Sequence, residues 1–131
     1  MNIRETLEEL RKELTVRRPL TKKYTGTGTA IGTFAPGVPF KLLGFRLHMS
    51  GVMASAETLT IIAKDGDSAY DTTLLSQDMY ATSILDLVED FGDKEWYFDA
   101  DDTIVMAFSA NTGADTYAAK LIYELIQVEV L

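Results

Sequence analysis

The chain has no cysteine and a single histidine, and these two shortages remove much of catalytic chemistry. Without cysteine there is no disulfide framework, no thiolate nucleophile and no cysteine-bound zinc, a composition that fits a reducing compartment. With His48 as its sole imidazole, the chain cannot assemble the usual zinc ligand sets, and a catalytic role for His48 needs a nucleophile and an orienting carboxylate that the sequence does not locate; it carries neither GxSxG nor HExxH. The sequence therefore predicts no catalytic residue, no resident metal and no cofactor, and a protein that is not an enzyme. A carboxylate-only hydrolase is the catalytic class left open, with Asp99, Asp101 and Asp102 near Glu95 as its acids. Long apolar runs are missing too: no stretch reaches membrane-spanning length, and MNIRETLEELRKEL lacks the apolar core of a signal peptide.

Other absences narrow the ligands. Gly26, Gly28 and Gly32 suggest a phosphate loop at first sight, but Pro36, Gly37 and Pro39 follow where a dinucleotide fingerprint needs a helix. Neither Asp65, Asp67 and Asp71 nor the acids at 99–102 has the spacing of a calcium loop, and both groups read as turn formers. Basic charge is scarce after residue 23. Residues 1–23 hold seven basic and four acidic groups, the remainder five and sixteen, so that the body carries −11 of a chain whose net charge is −8. An acidic body repels phosphate backbones, which excludes nucleic acid as a ligand of the main domain.

What the sequence does contain is period-two alternation. Leu43, Phe45, Leu47 and Met49 alternate with Gly44, Arg46 and His48 in FKLLGFRLHM, a half-buried strand. Leu59, Ile61 and Ala63, then Ile104, Met106 and Phe108, repeat the pattern. Asp65-Gly66 predicts a type I′ hairpin turn leading into a strand from Tyr70, and the Thr- and Gly-rich residues 24–34 read as an edge strand or a linker. Residues 83–91 fit a helix or a strand, with the strand favoured by its neighbours. A short aromatic strand at 96–98, a tight turn at 99–102, an Asn turn at 111–113 and a long last strand from Tyr117 complete the series. The one-residue shift of apolar phase at Ile126, Val128 and Val130 predicts a bulge. Seven or eight short strands at this spacing predict a mainly β protein, an antiparallel sandwich.

The N-terminal arm, 1–23, differs from the body, 24–131. Ile3, Leu7, Leu10 and Leu14 lie on one stripe of a short amphipathic helix, too short to stand alone, which must dock on its own domain, on copies of itself or on a partner. Together with the basic cluster Arg17, Arg18, Lys22 and Lys23 this stripe is the expected assembly interface. His48 falls on the polar phase of its strand and reads as a surface side chain. Trp96 and Tyr97 alternate, so one points inward, and the exposure of Trp96, Tyr97, Tyr70 and Tyr80 separates a sugar-binding face from a purely structural one.

In order and texture, FKLLGFRLHMSG, ETLTIIAKDGDSAYDTTLLSQDM, WYFDADDTIVMAFSANTG and a last strand over 116–126 resemble the small jelly-roll structural proteins of tailed bacteriophages and related viruses. These are the head-decoration, collar and fibre-associated proteins. The resemblance covers about residues 38–126. It implies a jelly-roll-like sandwich and a non-enzymatic virion protein, made in the host cytoplasm, that assembles with itself and with other virion proteins and binds no membrane. Similar strands occur in carbohydrate-binding jelly rolls, so a carbohydrate-binding module is the alternative and carbohydrate a further partner.

Overall fold

The computed structural model describes Ile3 and residues 19–55, 57–66, 68–80 and 84–126. Among these the chain is mainly β. Nine strands form: β1 (Leu20–Gly26), β2 (Ala30–Phe34), β3 (Phe40–Met49), β4 (Thr58–Lys64), β5 (Thr72–Asp78), β6 (Asp86–Asp90), β7 (Tyr97–Phe98), β8 (Thr103–Phe108) and β9 (Tyr117–Leu125). They build two antiparallel sheets, one in the order β1-β9-β3-β6 with β7 added against β3, the other β2-β8-β4-β5. The chain changes sheet at most connections, and both ends of the described body meet in one ladder, where Leu20 faces Tyr123 and Gly26 faces Tyr117.

The alternating sets supply the core between the sheets. Phe45, Leu59, Ile61, Ile104, Met106 and Leu121 are wholly buried, and the intervening residues of the same strands face outward. β3 departs from the expected phase at one point. Leu43 is only half-buried, and Phe40 and Leu42 take the inward positions at that end of the strand. The register against β9 shifts between Leu42 and Gly44, so a bulge lets both Leu42 and Phe45 point into the core. Gly44 suits the place, since a Cβ there would come within 3.0 Å of the Glu89 carbonyl oxygen. Aromatic rings close this end: Phe40 meets Phe34 edge-on at 5.2 Å and stacks on Phe98 at 5.1 Å.

Three local expectations change. The Asp65-Gly66 turn is not type I′, because the β4–β5 ladder closes at Ala63 and Thr72 and leaves a longer connection that contains a 3₁₀ turn, Ser68–Tyr70. Gly37 is the glycine with positive φ among the described residues, and β5 starts at Thr72, not at Tyr70. The Thr-rich segment forms two edge strands, one on each sheet, with β1 beginning at Leu20 inside the stretch assigned to the arm. The ambiguous segment holds a strand at Asp86–Asp90, with Leu87 buried and Val88 exposed. The arm helix falls outside the described residues apart from Ile3, which is 81% exposed. Of the expected bulge in the last strand only Ile126 is described, and its N–H donates to the Pro39 carbonyl at 2.9 Å.

Candidate functional site

The outer face of the first sheet gathers cations that lie far apart in the sequence. Register places Lys23 of β1 opposite Lys120 of β9, Lys120 opposite Arg46 of β3, and Arg46 opposite Val88 of β6. Three like charges thus lie in one cross-strand row, an arrangement that destabilises an isolated sheet. None of the three has a carboxylate partner among the described residues. The row lines a shallow groove of about 300 Å³ together with Ala118 and Thr25. His48 stands at its margin and, as its strand phase requires, is exposed, with Nδ1 2.6 Å from the Asp86 carboxylate.

Of the expected interface residues, Leu7, Leu10, Leu14, Arg17 and Arg18 lie outside the described residues, and Ile3 is exposed. Lys22 and Lys23 are both in β1. As neighbours in a strand they point to opposite sides, so only Lys23 joins the row. Lys120 and Arg46 were missed by sequence reasoning, because nothing local signals that β9 will run between β1 and β3.

The outer face of the second sheet is the opposite in character. Thr60 and Ile62 of β4, Val105 and Ala107 of β8, Thr33 of β2 and Ser76 of β5 form its middle, and none is charged. At one end of the sandwich Glu57 is 1% exposed, its Oε1 accepting from the Thr112 N–H at 2.9 Å, the Thr112 hydroxyl at 2.6 Å and the Ser55 hydroxyl at 3.2 Å. The Thr112 bonds, more than offsetting burial, hold its carboxyl below the ordinary value.

The aromatic residues sort unequally. Tyr70 is 70% and Tyr97 52% exposed, Tyr80 is exposed elsewhere, and Trp96 is half-buried against Phe91 with ring centroids 5.1 Å apart. Tyr70, Trp96 and Tyr97 line one groove of about 310 Å³, with Asp65, Glu95 and Asp102 at its wall. Glu95 sits in the left-handed region at φ 54°, ψ 43°. Its Oε2 accepts from the Tyr97 hydroxyl at 2.6 Å and pairs with Lys41 Nζ at 3.3 Å, and these bonds lower its pKa. The acids at 99–102 form a turn: Asp102 Oδ2 accepts from the Asp99 N–H at 2.7 Å. Among the described residues no three acidic or imidazole side chains converge as metal ligands, and Asp67 lies outside them.

No protein-family model matches the chain, and no curated protein matches it. Among solved structures it is similar to a chain of the acidic stable capsid structure of Helicobacter pylori bacteriophage KHP30, at 13% identity over 88% of this chain and 100% of that one, with a TM-score of 0.45. The functional reading rests on the surfaces themselves.

Proposed function

We propose that the chain is a non-enzymatic virion structural protein, of the capsid-decoration, collar or fibre-associated kind, that works by assembling with copies of itself and with other virion proteins. The strand order, β1-β9-β3-β6 against β2-β8-β4-β5, supports a jelly roll, a sandwich of two Greek keys that recurs in viral capsid and lectin domains. The observation that carries assembly is the unpaired row of Lys23, Lys120 and Arg46. Such a row costs stability in a monomer and is compensated when an acidic surface covers it; a body of net charge −11 offers that surface on every copy. The uncharged middle of the second sheet's outer face adds a desolvation-tolerant surface for a further contact. The aromatic groove suits sugar binding as an added property of such a protein rather than as a separate class.

Sedimentation at low and high salt tests this reading. The wild type is expected to self-associate more at low salt, since exposed charge contacts are screened over about 8 Å at physiological ionic strength. Lys23→Glu with Lys120→Glu should abolish that salt-dependent part, and Leu7→Asp with Leu10→Asp should remove any contact made through the arm's stripe. A wild type that is monomeric at every concentration and salt would rule out self-assembly.

A further inference from the structure

The groove beside β7 has features that assembly does not require. β7 is two residues long, and its alternation stacks Phe98 on Phe40 inside while it turns Tyr97 outward. Tyr70 reaches the same groove from the end of the 3₁₀ turn in the β4–β5 connection, and Trp96 contributes its accessible edge. Scattered exposed rings are ordinary on protein surfaces, but here two exposed tyrosines and the chain's one tryptophan converge.

The polar groups around them are anchored at one atom and open at another. Glu95 uses Oε2 for Tyr97 and Lys41 and leaves Oε1 without a partner among the described residues. Asp102 uses Oδ2 to close its turn and leaves Oδ1 without a partner among the described residues. Lys64, also in the lining, has no ion-pair partner among the described residues. Lys41 Nζ stands 5.3 Å from the Tyr97 ring centroid, so both the ring and the carboxylate are held before any ligand arrives. A left-handed backbone at a non-glycine residue persists only where its surroundings enforce it, and such places cluster at binding sites. A ligand for this groove must donate several hydrogen bonds to fixed carboxylate oxygens, accept one from an ammonium, and lay an apolar face on an aromatic ring. A pyranose does all three.

We propose that the groove formed by Tyr70, Trp96, Tyr97, Glu95, Asp102 and Lys64 binds a neutral hexopyranose unit of a glycan. Three carboxylates in the lining repel acidic sugars and phosphate. A cationic peptide is disfavoured because Lys41 already occupies the Glu95–Tyr97 pair. The site's volume of about 310 Å³ is at the lower end of the range for ligand pockets and suits a single ring with its neighbours in solvent. The inference stands independently of the assembly reading.

Trp96, the chain's sole tryptophan, reports on the groove directly. Its fluorescence would be titrated with neutral gluco-, manno- and galacto-configured oligosaccharides and with an oligogalacturonate, with calorimetry as the second readout. At least one neutral oligosaccharide should give a saturable change. Tyr97→Ala and Tyr70→Ala should each weaken it by about tenfold, the equivalent of one lost ring contact. Tyr97→Phe should weaken it less, and Tyr80→Ala not at all. Thermal melts would confirm that each variant folds; Tyr70, on the exposed connection, carries the test if Tyr97→Ala does not. Unchanged sedimentation of Tyr70→Ala would separate this site from assembly. No response to any neutral oligosaccharide, a response to the oligogalacturonate alone, or binding indifferent to both tyrosines would overturn the proposal.

Discussion

Replacing Phe45 by alanine tests the centre of the sandwich. Phe45 is 0% exposed, lies on the central strand β3, and is flanked in register by Leu121 on β9 and Glu89 on β6. A buried phenylalanine removes ~150–250 Å² from water, worth ~4–6 kcal/mol at ~25 cal/mol per Å². Alanine retains a part of that, while the cavity left by the ring adds to the loss to the extent that the site does not collapse, so a cost of ~3–5 kcal/mol is expected. Against a total of ~5–15 kcal/mol this is a large fraction. At ~3–4 °C per kcal/mol for a chain of this size, melting should fall by ~10–20 °C. Arg46→Ala is the control, one residue along and on the outer face. It removes a charge opposed by Lys120, so its effect should stay within ~0.5 kcal/mol and tend to stabilise. Urea denaturation of both variants at one low protein concentration, with the slopes compared, measures the difference. Equal losses from the two substitutions would refute the assigned phase of β3 after its bulge.

Two further outcomes follow from the same structure. Deleting residues 1–18 should leave a cooperative unfolding transition, because among the described residues the buried core begins at Ile31 and the first strand at Leu20; deletion through residue 26 removes β1, exposes the edge of β9, and should give an aggregating product, measurable by light scattering. Glu57 should make stability fall in acid: its folded pKa lies below the ordinary 4.5, so the stabilisation is fully present above that value and is lost as pH drops through the folded pKa. Glu57→Gln should melt with a shallower dependence on pH below 4.5, and curves that fall in parallel for the two proteins would remove Glu57 as the cause.

Strand identity and facing were legible in the sequence wherever alternation was uninterrupted. Leu59, Ile61 and Ala63 on β4, and Ile104, Met106 and Phe108 on β8, are buried as their spacing requires. The turn closed by Asp102 and the turn at Asn111, whose carbonyl oxygen accepts from the Ala114 N–H, were equally local matters of side-chain and backbone chemistry. Leu42 and Leu43 show where that reading stops. Both are apolar and adjacent, so the pattern alone could not say which one the bulge would turn inward; the ladder to β9 decides it. The same limit applies to the Asp65-Gly66 turn, whose length depends on where β4 and β5 cease to pair.

The candidate sites belong almost wholly to the tertiary level. Alternation is a property of a few consecutive residues, because successive side chains in any strand must point to opposite faces, and a sequence displays it directly. Pairing is a choice among distant segments, made by whichever packing buries the alternating faces together, and it leaves no local mark. The sequence by itself therefore determined that this chain would be a β-sandwich with an acidic body. Only the tertiary structure placed Lys23, Lys120 and Arg46 in one row and brought Tyr70 to the groove of Trp96 and Tyr97, since each grouping depends on segments that meet only when the two sheets close over their shared core.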